Sequence, residues 1–114
     1  MEDCIFCRIA RGEIPCSKVY ENDRLVAFDD IHPVAPVHVI IIPKEHVSTL
    51  LELKPGSPGL GEALLLAANE VARSKGVDEK GFRFVINCNK EGGQVIFHLH
   101  AHVLGGRKLA DEMG

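Results

Sequence analysis

Apolar and polar positions follow two different periods along this chain, and the switches between them mark out its elements. Lys18 to Glu21 and Leu25 to Asp29 are short strand-type runs on either side of Asn22-Asp23-Arg24, which predicts a hairpin. Pro33 and Pro36 hold an extended approach to a third strand, Val37 to Pro43. There His38 alternates with Ile40 and Ile42 on one face, opposite Val37, Val39 and Ile41. Leu60, Leu64, Ala67 and Val71 recur at helical spacing and predict a long helix, with Ser57 as N-cap, Pro58 at its first helical position and Gly76 as its stop. That stripe serves equally as core or as an interface. Phe82 to Asn87 and Phe97 to Leu104 predict two more strands. Near the start, Asp3 is placed to cap a short helix, Cys4 to Arg11, ended by Gly12, and Ser48 to cap a turn through Leu51. This order gives an α+β class: a five-stranded antiparallel sheet with a short N-terminal helix and one long helix, residues 1–114 forming one domain.

Within the last strand, His98-Leu99-His100-Ala101-His102 places half of the 6 histidines on alternate positions. Side chains alternate across a strand, so the three imidazoles share one face while Leu99, Ala101 and Val103 point to the other. Successive rings start roughly 6.6 Å apart, close enough to surround one phosphate or one metal ion. Spacing alone leaves both readings open: metal ligands, or a nucleophilic imidazole with two helpers acting on phosphorus. Neighbouring residues favour the second. Gly92-Gly93 lets backbone approach an anion closely, and Asp30 stands at a strand end where it can hold both hydroxyls of a ribose or merely cap a turn. Ile5, Phe6, Ile9, Ile14 and Phe28 fit an apolar slot for a purine, or ordinary core.

Composition narrows the partners. Hydrophobic residues at 46% and charged ones at 25% are ordinary for a globular chain, and a net charge of −3 offers no basic stripe for nucleic acid. No apolar run approaches a membrane span, and Met1-Glu2-Asp3-Cys4 lacks a basic, then apolar, leader. A cytoplasmic setting with reduced thiols is expected, so the 4 cysteines suggest metal or packing roles before disulfides. Cys4 and Cys7 share a helix face; Cys16 and Cys88 have no partner spacing.

His98 to Leu104 resembles the signature of the histidine triad (HIT) superfamily. The resemblance extends over Ile5-Phe6, Glu13-Ile14-Pro15, Phe28-Asp29-Asp30-Ile31, Ala35-Pro36-Val37-His38, Ile42-Pro43-Lys44-Glu45-His46, Gly92-Gly93-Gln94 and on to Arg107. The ending Gly105-Gly106-Arg107 is similar to the Hint branch of nucleoside phosphoramidate hydrolases; the dinucleoside polyphosphate hydrolase branch more often has a proline there. The resemblance implies a HIT-like fold and hydrolysis of a purine nucleoside 5′-phosphoramidate to the monophosphate through a nucleotidyl-histidine on His100. It implies that His102 bonds phosphate oxygens with Asn87 and Gly93 N–H, and that His38 bonds His98 or the surrounding network. Asp30 and Ile31 would meet the nucleoside of an AMP- or GMP-type nucleotide. A homodimer is implied, with the two sheets joined and the tail, Leu109 to Gly114, near the partner's site.

Two features modify that picture. Val95 stands where many Hint-like proteins carry a serine that helps protonate the leaving amine. General acid help is worth roughly 10²–10⁴-fold, so slow turnover, or a nucleotide-binding regulator with almost none, is the rival reading. Others are a dinucleoside polyphosphate hydrolase, a nucleotidyltransferase, and a metal-dependent hydrolase. Second, some bacterial relatives pair cysteines and histidines around structural zinc, and the matching residues Cys4, Cys7, His46 and His98 are all present. Catalysis itself is expected to need no metal.

Overall fold

The strands that are apolar on both faces occupy the middle of the sheet. The computed structural model describes residues 4–55 and 59–114. Its elements are α1 (Ile5–Ala10), β1 (Lys18–Glu21), β2 (Leu25–Asp29), β3 (Val37–Pro43), α2 (Leu60–Ser74), β4 (Phe82–Val85) and β5 (Ala101–Gly105), with a single 3₁₀ turn at Leu50–Glu52. Strand order is β1-β2-β3-β5-β4, and every neighbouring pair is antiparallel. The expected α+β architecture forms, and β2 and β3 are buried on both sides because each face of the sheet carries its own helix.

On one face, α2 packs Leu60, Leu64, Ala67 and Val71 against Leu25, Ala27, Val39, Ile41, Leu99, Ala101 and Val103. The helical stripe is therefore core. On the other face, Phe6 and Ile9 of α1 pack on Val26, Phe28, Ile40 and Ile42. Alternation along β2 and β3 thus builds two small cores from one sheet. Gly76 ends α2 with φ +71°, and Asn22 makes the β1–β2 turn by accepting from the N–H groups of Arg24 and Leu25, each at 2.9 Å. At the far end of β5, Gly106 (φ +93°) lies so close to Pro36 that a Cβ would sit 2.8 Å from the proline ring.

Several boundaries differ from expectation, each for a local reason. Cys4 is the N-cap of α1, its Sγ accepting the Cys7 N–H at 3.4 Å, and the helix stops at Ala10. The expected cap Asp3 lies outside the described residues, as do Ser57 and Pro58; α2 runs from Leu60 behind Gly59. Thr49, not Ser48, caps the short turn, because Glu52 three residues on completes a reciprocal capping box. β4 ends at Val85 and β5 begins only at Ala101, four residues after the expected Phe97. Pro43 would face Leu99 if the β3–β5 ladder continued, but it has no N–H to give. The Leu99 N–H turns instead to the Val47 carbonyl at 2.6 Å.

Leu64 is 1% exposed and Leu65 is 56% exposed on the same helix. Leu64→Ala is expected to cost about 2–5 kcal/mol in urea unfolding and Leu65→Ala less than about 0.5 kcal/mol. Similar losses would mean that the outer face of α2 is covered in solution.

Candidate active site

His98 and His100 precede β5 but keep its alternation, so their rings lie with His102 on the α1 side of the sheet. Phe6 stands edge-on to His98 and His100, with ring centroids 5.8 and 5.1 Å away. His100 and His102 are 5.1 Å apart between centroids.

The hydrogen bonds of this row assign its protons. The carbonyl of Pro43 can only accept, so His98 donates its Nε2–H to it at 2.8 Å, which leaves Nδ1 bare. The carbonyl of His98 accepts from Nδ1–H of His100 at 2.8 Å, so a neutral His100 presents a bare Nε2. The Val34 N–H donates to Nδ1 of His38 at 3.1 Å, which puts the His38 proton on Nε2. That proton is shared with Nδ1 of His102 at 2.9 Å, so His102 carries its own on Nε2. His38 therefore bonds His102 rather than His98. The result is a bare Nε2 on His100 beside an Nε2–H donor on His102.

Burial keeps the rings neutral. It holds His98 and His100 below the usual imidazole value and pushes His102 down to about 4, with the neighbouring His100 and His38 adding to the last shift. Asp30 acts in the opposite sense on His100 and His102. Its Oδ1 accepts the His32 N–H at 2.7 Å, capping the turn, and its Oδ2 lies 3.4 Å from Nε2 of His38. Asp30, His38 and His102 offer ligand-type atoms within 4.8 Å of one another. In these tautomers both His38 nitrogens are already bonded, so no lone pair there is free for a cation.

The loop before the row is tied to it through Gln94. This buried side chain accepts the Asn89 N–H at 2.8 Å and donates to the Ser48 and Ile96 carbonyls at 2.9 and 3.0 Å. Gly92 fits only without a side chain, since a Cβ would strike the Cys88 carbonyl. Gly93 sits beside the Asn87 amide, but its N–H is taken by the Lys90 carbonyl at 3.0 Å. Of the residues read as a purine slot, Phe6, Ile9 and Phe28 are buried, Ile14 packs on their cluster and Ile5 is exposed; Ile31, expected beside the nucleoside with Asp30, is exposed too.

Below the row, the Cys4 and Cys7 sulfurs approach Nδ1 of His98 at 3.3 and 3.5 Å, and Cys7 approaches Nδ1 of His46 at 3.3 Å. The four ligand atoms all lie within 4.8 Å, a cluster able to hold a metal ion. Ser48 Oγ is 3.3 Å from Nε2 of His46, the outward nitrogen. His98 is fully buried, so its side chain faces this cluster and cannot touch a substrate. Sequence reading gave Gln94 no role and Ser48 only that of a turn cap; Gln94 was visible as the residue after Gly92-Gly93, whereas the Ser48 contact to His46 and the backbone groups of Pro43 and Val34 leave no compositional signal.

A protein-family model, the HIT domain, matches residues 11–109. The chain belongs to the HIT domain family. It is 41% identical over 109 residues to a purine nucleoside phosphoramidase of Escherichia coli strain K12, covering 95% of this chain and 91% of that one. A histidine triad protein of Clostridium difficile superposes with TM-score 0.95 at 45% identity, covering 98% of this chain and 97% of its own. A HIT family hydrolase of Legionella pneumophila gives TM-score 0.94 at 42% identity, covering 98% and 100%. No helix among the described residues is long and apolar enough to cross a membrane.

The depressed His102 value fixes a sign for pH. Unfolded imidazole takes a proton near 6.5, whereas folded His102 stays neutral down to about 4. The unfolded chain binds more protons inside that window, so this contribution to stability is present above it and lost as pH falls through it. The thermal midpoint is expected to drop more steeply between pH 6.5 and about 4 in the parent than in His102→Asn. Parallel slopes would show that His102 does not carry the effect.

Proposed function

We propose that this HIT-family protein hydrolyses a purine nucleoside 5′-phosphoramidate through a covalent intermediate on His100. The observation that carries this reading is the Nδ1–H bond of His100 to the His98 carbonyl, which leaves Nε2 bare on a neutral ring. The lone pair of Nε2 attacks the α-phosphorus, and the bond from phosphorus to the leaving nitrogen breaks with its electrons on that nitrogen. Water then attacks phosphorus, the His100 bond breaks, and the nucleoside monophosphate departs with the ring neutral again. His102 donates Nε2–H to a non-bridging oxygen, where charge accumulates in the transition state. His38 holds the His102 tautomer.

Asn87 and Gly93 flank the phosphate; with its N–H on Lys90, Gly93 contributes room rather than a donor. Asp30 takes the ribose hydroxyls through the lone pairs that its turn bond leaves free. Ile5 and Ile31 are the accessible apolar groups for a base, over the core formed by Phe6, Ile9, Ile14 and Phe28. Similarity to the Escherichia coli purine nucleoside phosphoramidase supports a purine phosphoramidate as substrate class. Val95 is 86% exposed and has no proton for the leaving amine, which favours slow turnover. Two copies would join through β4, an edge strand whose residues are all half-buried here.

The cluster of Cys4, Cys7, His46 and His98 is proposed to hold zinc. Tetrahedral zinc with these ligands needs sulfur–nitrogen separations of roughly 3.5 Å. The three sulfur–nitrogen contacts are 3.3, 3.5 and 3.3 Å. Nδ1 of His98 is bare because Nε2–H is on the Pro43 carbonyl, the kind of outer bond that orients a metal ligand. Bound zinc would tie α1 to the sheet without touching substrate, and thiolate ligands suit a reducing, cytoplasmic setting.

Rapid mixing with adenosine 5′-phosphoramidate, acid quench and peptide mass spectrometry is expected to place the nucleotidyl group on His100. His100→Ala is expected to lower kcat/KM on the order of 10⁴-fold or more while retaining AMP. Adduct on another residue, or full turnover by the variant, overturns the assignment. Metal analysis after reducing purification without added metal is expected to find about one zinc per chain, lost in Cys7→Ser. Metal-free protein that gains no stability from zinc would remove that site.

A further inference from the structure

His98 belongs to both halves of this site. Its ring closes the thiol–imidazole cluster, and its carbonyl holds the proton of the nucleophile. Cys4 and Cys7 converge on its Nδ1 from 3.3 and 3.5 Å, so their sulfurs face a single atom. Without an ion between them the same pair is a C-x-x-C dithiol. Cys4 is half-buried, hence within reach of a small reagent, while Cys7 lies behind it and is buried. Cys4 is also the N-cap, with extended backbone angles (φ −77°, ψ 114°), so its side chain can turn toward Cys7 without unwinding α1. Cys16 and Cys88 take no part in the cluster.

We propose that Cys4 and Cys7 are a thiol–disulfide modification site, open to low-molecular-weight disulfides when no metal ion occupies the cluster, whose oxidation misaligns His100 through the His98 carbonyl. The sulfur of Cys4 attacks one sulfur of the small disulfide and expels the first small thiol. The sulfur of Cys7 then attacks Cys4, forms the Cys4–Cys7 bond and expels the second. The two cysteine hydrogens end on the two released thiols; the protein is oxidised by two electrons and the small disulfide is reduced by two.

Oxidation changes what His98 can do. A disulfide has no hydrogen to offer, so Nδ1 of this fully buried ring loses both sulfur neighbours as donors, and the drawn-in sulfurs no longer fill its contact. The ring's one remaining hydrogen bond is to the Pro43 carbonyl, while Phe6 and His46 meet it only through edge-type ring contacts, with centroids 5.8 and 5.0 Å away. Any tilt or slide of His98 moves the acceptor that selects the His100 tautomer. A metal ion blocks the reaction by occupying both sulfurs, so the cluster has three states: metal-bound, dithiol and disulfide.

The activity arm of the test rests on the phosphoramidase reading; the chemical and spectroscopic arms do not. The full chain carrying Cys16→Ser and Cys88→Ser is taken as purified and after chelation, then exposed to glutathione disulfide. Chelated protein is expected to lose about 2 Da on the peptide holding Cys4 and Cys7, and zinc-loaded protein to resist. Cys7→Ser is expected to stop at a glutathione adduct on Cys4. Nitrogen-15 NMR of the histidine rings is expected to show the His100 signals moving on oxidation and returning with dithiothreitol. Turnover of adenosine 5′-phosphoramidate is expected to fall on the order of 10–100-fold in kcat with KM little changed. If reduced protein leaves the phosphoramidate intact, the hydrolase reading fails while mass and NMR still decide this one. No intramolecular disulfide under conditions that oxidise free dithiols, or a disulfide that leaves the His100 signals unmoved, overturns the proposal.

Discussion

A neutral imidazole can place its proton on either nitrogen, and only one choice makes His100 able to attack an electrophile. The acceptor that decides is the carbonyl of His98, two residues back in the same segment, at 2.8 Å. A carbonyl never donates, so it fixes the tautomer more firmly than another side chain would. Its position depends in turn on how the rest of that residue is held. His98 is 0% exposed, its ring is held by Pro43, and the next N–H is held by Val47. The interruption of the β3–β5 ladder at Pro43 is what frees these groups. A regular strand would have spent the Leu99 N–H on β3 and carried no bond from the ring to the Pro43 carbonyl. The apparent defect at the start of β5 is thus a condition for the geometry of the histidine row.

The same burial that stabilises the α1 face sets the charge state of the rings. Phe6 gives its edges to His98 and His100 while packing on Phe28 and the β2–β3 surface. Apolar area withdrawn from water there contributes about 25 cal/mol per Å², and desolvation disfavours a charged imidazole at the same contacts. Stability and nucleophilicity therefore come from one set of contacts. Asp30 moderates the effect by favouring protonation of His100 and His102, yet it is partly occupied by the His32 N–H.

How much of this could be read from the chain follows the range of each interaction. The two faces of β3 and the core stripe of α2 were legible because period two and period 3.6 are local and survive in the tertiary structure. The histidine row was legible for the same reason, although its first two members lie outside β5. The strand boundaries were not, because they depend on Pro43 meeting Leu99 across the sheet, a contact between residues 56 apart in sequence. The apolar slot was legible only as a set of apolar side chains. Phe6, Ile9 and Phe28 are core, and hydrophobicity alone does not say whether a side chain faces a ligand or another side chain. Gln94 shows the opposite failure: a polar residue in a glycine-rich loop reads as surface, and only the fold reveals three buried partners.

Proton flow sets the final constraint on the chemistry. In the proposed reaction, attack by a neutral His100 would create positive charge on a buried imidazole while negative charge gathers on the phosphoryl oxygens. His102 would answer the oxygens with Nε2–H, a tautomer that His38 holds by donating Nε2–H to its Nδ1, with the Asp30 carboxylate 3.4 Å from that His38 nitrogen. Among the described residues, no proton donor is assigned to the leaving nitrogen. Val95 holds the place where a hydroxyl would serve, and it projects into solvent. The network is thus better equipped to stabilise the phosphoryl group than to protonate what departs. On the proposed mechanism water would be left as the proton source, which would favour substrates whose leaving group departs with little help over those that need a strong acid beside them.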